Sequence, residues 1–323
     1  MSAGRTRVAV VGGGQSCEHE VSLASAASVV GALTDRYDVV PLTITRDGTW
    51  CDEVGRPVGL ARAVQTLGTC AAVVPMVHGP RGEDGTLAAL CELAGVPYVG
   101  SGVGAGALAM DKWATKLVAQ AVGVATAPGR LLTAATAAAY VFEHPVVVKP
   151  VAAGSSHGVT LVRDAGGLRP ALDAALRLDG RVLVEDVVEG REVDVAVLAT
   201  GDGHVVAPLL EVVVDGLFDH AAKYGGTADL RVPADVPEAD AQALRDAAVR
   251  VFDALGCAGV ARVDFFLTAD GPVLNEVNTT PGLTEHSQVP RMFAAAGLSY
   301  PDLLDRLVRD AVAGAAAAAA AGR

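Results

Sequence analysis

The sequence predicts a multidomain α/β and α+β protein: a parallel α/β unit first, then a small α+β unit, then a unit built on an antiparallel sheet. Three observations predict it. Apolar runs alternate with stretches of helical apolar spacing through about residue 100, the pattern of strands joined by crossover helices. Beyond that point strand–turn–strand segments dominate, with HPVVVKPVAAGSSHGVTLV (144–162) and ARVDFFL-TADG-PVLNEVN (261–278) the clearest. The chain has 323 residues, 51% of them hydrophobic, too many for one small core and enough for two or three that share an interface.

RVAVVGG (7–13) is a short apolar run ending in glycines, a buried strand entering a turn. VSLASAASVVGAL (21–33) has the spacing of a helix. YDVVPLTI and AAVVPMVHG (71–79) are the next strands, DGTLAALCELAG (84–95) a helix stopped by Gly95, and VPYVG (96–100) a further strand. These make an N-terminal domain over 1–100. In the central unit, 101–184, MDKWATKLVAQAVG (110–123) is a helix with Gly123 in the C-cap position. The 144–162 hairpin with its long Gly/Ser tip follows, then the helix GGLRPALDAALR and the strand RVLVEDVV (181–188).

The third unit, 185–312, opens on the antiparallel pair REVDVAVLAT and HVVAPLLEVVV, turned at GDG. Residues 215–233 show no period and read as a loop. PEADAQALRDAAVRVFDALG (237–256) is a helix with Pro237 at its start and Gly256 just past its end. The 261–278 hairpin and the helix LSYPDLLDRLVRDAV complete the unit. The Ala-rich tail, 313–323, reads as a frayed helix or a disordered end, too short and weakly hydrophobic to span a bilayer.

A formal charge of −12 argues against nucleic acid or anionic membranes as partners, so an anionic ligand must be held by a local cluster of cations. Five scattered cysteines without a CxxC pair fit a reducing cytoplasm better than disulfides or zinc. The N-terminus lacks the apolar core of a signal peptide, and a cytoplasmic location is expected. Of 25 basic residues only four are Lys: Lys112, Lys116, Lys149 and Lys223. In a chain that otherwise uses Arg, a retained Lys points to a need for a compact ammonium, as in gripping phosphate.

The 261–278 hairpin carries the strongest chemical signal. Alternate side chains of a strand share a face, so Glu276 and Asn278 point one way, as do Arg262 and Asp264 on the partner strand. Two carboxylates and an amide oxygen form a hard oxygen set suited to magnesium, with substrate phosphates completing the octahedron. Such a trio is ordinarily a solvated surface. Here the acids are set in VDFFL and VLNEV, where an uncompensated charge is costly, and the metal site is the better account.

Lys149 closes the apolar run PVVVK beside AAGSSHG (152–158). An ammonium next to Gly and hydroxyls suits phosphate capture by backbone N–H groups, although the loop is no Walker A, since no Gly-Lys dipeptide occurs. The ordinary alternative is a surface turn that happens to carry a Lys. GSSHG also matches the G-x-S-x-G nucleophile elbow, with Ser156 as a serine hydrolase nucleophile. That elbow needs a helix after the turn, and VTLV is a strand former.

In GGGQSCEHEVS (12–22), Gly12 and Gly14 fit a dinucleotide fingerprint but Cys17 takes the third position, and no acidic residue ends the second strand. The turn does set Glu18 at a helix start, suited to a substrate ammonium while backbone N–H groups face its carboxylate. Glu185 and Glu192 flank a bend that alone would be a solvated loop. His78 and His286 sit in loops, and HExxH is absent.

Together these segments resemble the D-alanine–D-alanine ligases of the ATP-grasp superfamily. The resemblance rests on GGGQSCEHEVSLASA, VHGPRGEDGTLAALCELAGVPYVGSG, ALAMDKWATK, VVVKPVAAGSSHGV, AAKYGG, ARVDFF and NEVNTTPGLTEHS, in the expected order along nearly the whole chain. It implies an ATP-grasp fold for the second and third units, with ATP gripped between them. Lys112, Lys149 and Ser156 would hold phosphates, and Lys223 would reach the γ-phosphate from the lid 215–233. Glu185, Val188 and Phe266 would surround the adenine and Glu192 the ribose. Two magnesium ions, replaceable by manganese, would sit on Asp264, Glu276 and Asn278.

The implied reaction joins two D-alanines for peptidoglycan synthesis. The first carboxylate attacks the γ-phosphate to give an acyl phosphate, and the second amine displaces phosphate. Arg262 and the Gly282 N–H would stabilise the oxyanion. Glu18 would bind the first ammonium, Ser287 and Gln288 the second carboxylate, and His78 belongs to the same substrate set. Glu18, Ser155 and Tyr224 resemble the family's hydrogen-bonded triad, and Tyr224 favours an amine nucleophile. The resemblance also implies a homodimer. Asp186, Ala221, Cys17 and Gln288 depart from the usual pattern. Gln288 bears on the acceptor, so a related ligase with D-serine or another D-amino acid is the alternative. A non-catalytic nucleotide-binding protein is a further one, which Asp264→Asn would leave functionally unchanged.

Overall fold

The computed structural model describes residues 4–213 and 229–320. The N-terminal sheet has the order β3-β2-β1-β4. Its central strand β1 (Arg7–Gly13) runs parallel to β2 (Asp38–Ile44) and β4 (Ala72–Pro75), while the short edge strand β3 (Trp50–Cys51) is antiparallel. After Arg7 every residue of β1 is buried, as a strand covered on both faces requires. Val8 and Val10 face α1 (His19–Leu33), and Ala9 and Val11 face α2 (Gly59–Leu67) and α3 (Thr86–Leu93). The expected strand 71–79 is shorter, and 96–100 contributes only one parallel bridge, Val73 to Tyr98. Pro97 accepts from the Val73 N–H through its carbonyl but has no N–H with which to extend a ladder.

The central sheet is antiparallel, β6 (Gly129–Thr133), β9 (Arg181–Asp186), β7 (Val146–Pro150) and β8 (Thr160–Val162) in that spatial order. α7 (Ala165–Leu176) seals it through Leu168 and Leu172 against Val146, Val148, Val162 and Val182. The short α6 (Ala134–Ala137) adds Ala137 to the same core.

The third sheet has the order β13 (Asp229–Arg231), β12 (Leu210–Val213), β10 (Arg191–Thr200), β14 (Val260–Thr268), β15 (Gly271–Asn278), β5 (Ala125–Thr126), with β11 (Gly203–Val206) also on β10. All its pairings are antiparallel except β15 with β5. One face carries Val193, Val195, Val197, Val263 and Phe265 against α8 (Glu238–Leu255). α8 ends as expected, with Gly256 at φ 72.

α4 (Val103–Met110) and α5 (Lys112–Ala121) bring Ala109 and Ala119 into this same core. Helices that the sequence groups with the central unit therefore pack on the third. On the sheet's other face, Ala196, Leu198, Leu210, Val212 and Val260 share a core with α9 (Gln288–Ala295), α10 (Tyr300–Ala320) and the N-terminal sheet. α10 continues as a helix into the tail through Ala320, consistent with the high helix propensity of Ala.

Candidate active site

The central and third sheets face each other across a cavity of about 450 Å³. Val147, Lys149, Leu161 and Glu185 come from one wall, and Glu192, Val212, Phe266, Leu274 and Glu276 from the other. Lys112, Ser156 and Val188, also expected to meet nucleotide, line the same space. Apolar faces with a few convergent charged groups are what a nucleotide cleft requires.

Glu185 is the electrostatic centre of one wall. Its side chain is buried, with Lys149 Nζ 2.5 Å from Oε2 and Lys116 Nζ paired to Oε1. Burial alone would raise the Glu185 carboxyl, but the Lys149 and Lys116 ammonium groups overcome it and hold the group below the ordinary carboxylate range. Two ammonium groups on one carboxylate leave the trio with a net positive charge, suited to phosphate. Lys149 also donates to Asn275 Oδ1 at 3.4 Å, which ties β7 to β15 across the cavity. Lys112 spans the same gap, donating to the Ala153 carbonyl at 2.8 Å with its Nζ 3.3 Å from Glu276 Oε2.

A charged row crosses the third sheet beside the cavity. Strand register sets Asp194 opposite Asp264 and Asp264 opposite Glu276, with Arg262 opposite Asn278. Arg262 is buried and donates through Nε and Nη2 to the two Asp264 oxygens, each at 2.7 Å. Burial opposes its charge, yet Asp264 and Asp194 hold the guanidinium protonated far above its ordinary value. Asn278 Nδ2 donates to Asp264 Oδ2 at 2.9 Å. Gln288 accepts from Arg262 Nη1 at 2.6 Å and donates to Asp194 Oδ2 at 2.7 Å.

The donor chemistry of this row fits a divalent cation. Asp194, Asp264 and Glu276 set three carboxylates against two cations, Arg262 and Lys112, so the group retains negative charge for an ion to neutralise. Among the described residues no three His, Cys, Asp or Glu side chains form a cage by themselves. A magnesium ion held here would draw on Asp264, Glu276, the Asn278 amide oxygen and oxygens of its ligand, in keeping with its preference for shared sites.

The N-terminal domain closes the far side. Glu18 is buried at the start of α1, and Ser155 Oγ donates to its Oε1. Glu18 Oε2 is buried and has no hydrogen-bond partner among the described residues, an open acceptor for an ammonium. A Cβ at Gly154 or at Gly79 would press on this carboxylate, so glycine at both positions leaves it room. Ser155 and Ser156 hold φ of 52° and 54°, a left-handed conformation that costs each roughly 1–2 kcal/mol and marks the loop as held in shape.

His78, expected in the substrate set, makes both of its ring contacts within the protein. Nδ1 donates to the Thr280 carbonyl at 2.8 Å, which leaves Nε2 to accept from Ser25 Oγ at 3.0 Å. Both ring nitrogens are thus used within the protein, and burial holds the imidazole neutral by lowering its pKa. The Thr280 N–H donates to Glu83 Oε1 at 3.0 Å, and the Gly79 N–H to Oε2 at 3.3 Å. His78 and Glu83 therefore grip both backbone groups of Thr280, two residues before Gly282. Burial and the nearby Glu18 charge push the Glu83 carboxyl up to about 7. Ser287 Oγ meets Thr284 Oγ1 at 2.8 Å and accepts from the Thr284 N–H at 3.0 Å, inside the turn that precedes α9.

Tyr224, Lys223 and Ala221 lie outside the described residues. Sequence reasoning missed Lys116, Asp194, Glu83 and Asn275. The scarcity of Lys already marked Lys116. The other three gave no signal, because only strand register and loop packing bring them to the site. The GSSHG turn leads into β8, so Ser156 is not on a nucleophile elbow.

Residues 124–309 match the family model described as D-ala D-ala ligase C-terminus, and residues 7–63 and 55–101 match D-ala D-ala ligase N-terminus. A D-alanine–D-alanine ligase from Mycobacterium sp. (strain KMS) is 43% identical, over 96% of this chain and 97% of the relative. The VanG D-Ala:D-Ser ligase of Enterococcus faecalis is 34% identical with a TM-score of 0.83, over 95% of this chain and 99% of that one. The D-alanine–D-alanine ligase of Bacillus anthracis, solved with ATP, is 25% identical with a TM-score of 0.80, over 97% and 99%.

Proposed function

The chain belongs to the D-alanine–D-alanine ligase family, and we propose that it uses ATP to join two D-alanines into D-alanyl-D-alanine for peptidoglycan synthesis, releasing ADP and phosphate. The observation that carries this reading is the adjacency of two differently built sites. A cavity lined by Lys112, Lys149, Glu185 and Phe266 abuts a buried Arg–carboxylate row and, beyond it, the open Glu18 oxygen.

In this scheme the adenine lies among Glu185, Val188 and Phe266, the ribose reaches Glu192, and the phosphates run past Lys149, Ser156 and Lys112. Lys223 and Tyr224 would act from the segment 215–233. Asp264, Glu276 and Asn278 would hold magnesium, whose contribution when bound is to neutralise charge on the transferring phosphoryl group. Glu18 receives the ammonium of the first D-alanine, with Ser155 fixing its carboxylate. The substrate carboxylate attacks the γ-phosphorus and ADP leaves, giving an acyl phosphate.

The amine of the second D-alanine then attacks the acyl carbon. Arg262 and the Gly282 N–H stabilise the oxyanion of the tetrahedral intermediate, which collapses with loss of phosphate. Ser287 and Gln288 border the second substrate. His78 and Glu83 act on Gly282 at one remove, by fixing Thr280. A cytoplasmic homodimer belongs to the same reading, and no helix among the described residues is long and apolar enough to cross a membrane.

The test is phosphate release from MgATP with and without D-alanine. The reading predicts release only when both are present; ATP turnover that ignores D-alanine contradicts it.

A further inference from the structure

Gln288 borders the acceptor on the reading above, on which this inference rests, and a free amide there would recruit a hydroxyl-bearing acceptor. The structure shows an amide that is already committed. Gln288 is the first residue of α9, and that helix packs on the face of the third sheet that carries Asp194. Its Oε1 accepts from Arg262 Nη1 at 2.6 Å and its Nε2 donates to Asp194 Oδ2 at 2.7 Å. Turning the amide over would set N–H against N–H at Arg262 and oxygen against oxygen at Asp194, so this pair of partners permits one orientation. Asp194 is 1% exposed and is itself held 3.5 Å from Arg262 Nε, so the brace is closed on three sides.

We propose that Asp194 is a positioning residue that determines acceptor specificity: it locks the Gln288 amide onto Arg262, withholds it from the acceptor side chain, and so keeps the enzyme selective for the methyl of D-alanine over a hydroxymethyl. The described contacts of Asp194 are with Gln288 and Arg262. It acts by deciding what Gln288 can offer.

The experiment gives the full-length protein MgATP with equimolar D-alanine and D-serine and measures D-alanyl-D-serine against D-alanyl-D-alanine by mass spectrometry. The wild-type protein yields mainly D-alanyl-D-alanine. Asp194→Ala frees the amide and raises the D-serine share roughly tenfold, about one hydrogen bond's worth. Asp194→Asn, whose carbonyl can still accept from Nε2, keeps the wild-type ratio. Gln288→Met keeps it too, because the native amide does not read the acceptor, and the Gln288→Met change cancels the gain in the Asp194→Ala background.

A wild-type preference for D-serine, an unchanged ratio in Asp194→Ala, or a shift in Gln288→Met alone overturns the proposal. Should Asp194→Ala fail to fold, Asp194→Leu, which fills the site but offers Nε2 no acceptor, replaces it: the D-serine share rises as for Asp194→Ala, and an unchanged ratio overturns the proposal. A wild-type protein with no D-alanine-dependent phosphate release overturns the proposed function and this inference together, whereas an active enzyme with the wrong ratios overturns only the inference.

Discussion

Lys116 contributes nothing to the cavity lining, yet it shares Glu185 with Lys149, which does. Burial lowers the Lys116 pKa and the Glu185 charge works against that fall, so each group depends on the other for its charge. Replacing Lys116 by Met leaves Glu185 with one buried ammonium in place of two, which is expected to destabilise the fold by roughly 2 kcal/mol or more. The same change draws Lys149 more tightly onto Glu185 and away from phosphate, so ATP affinity falls as well. Denaturant midpoints and calorimetric titration with ATP measure the two effects separately. A variant with wild-type values for both shows that Lys149 alone suffices.

At the level of elements, the sequence identified those whose residues carry their own punctuation. β1 ends in glycines, α8 lies between Pro237 and Gly256, and the 261–278 hairpin turns at TADG; each forms about where its residues imply. The clustering of Asp264, Glu276 and Asn278 with Arg262 was legible for the same reason, because alternation along one hairpin is enough to bring them together. α2, α4, α9 and β3 were not legible. β3 is two residues long, and α2, α4 and α9 have eight or nine each, too short for a period to stand out.

Asp194 was hidden for another reason. It sits within the apolar run VDVAVLA, and only pairing with β14 and the packing of α9 reveal its partners. The closing helix gives a test on this scale. Leu304 on α10 is 1% exposed in the core that joins the N-terminal and third sheets, so Leu304→Ala should cost about 2–5 kcal/mol. Truncation after residue 313 removes part of α10 that lies beyond that core and should cost within about 0.5 kcal/mol. Thermal or denaturant unfolding distinguishes them, and similar losses for both would contradict this division of α10.

Across the whole molecule, three sheets meet at one site, and the N-terminal domain takes part through the backbone of residue 280. Glu83 makes that junction sensitive to pH. Its carboxyl is raised from an ordinary 4.5 to about 7, so the folded protein binds its proton more tightly than the unfolded chain does. The contribution is fully present below about pH 4.5 and is lost as pH rises through 7. Between pH 5 and 8 the wild-type protein should therefore lose stability relative to Glu83→Gln, which lacks this titration. Parallel slopes for the two proteins in chemical denaturation across that window would contradict the assignment.

The proposed reaction activates a carboxylate by phosphoryl transfer, and oxygen tracing examines that step directly. With D-alanine labelled with ¹⁸O in its carboxylate, attack on the γ-phosphorus makes one carboxylate oxygen the bridge of the acyl phosphate. Displacement by the second amine leaves that oxygen on phosphorus. Mass spectrometry of the phosphate released during synthesis should find one ¹⁸O in each molecule. Unlabelled phosphate, formed at the same rate as dipeptide, would contradict the mechanism.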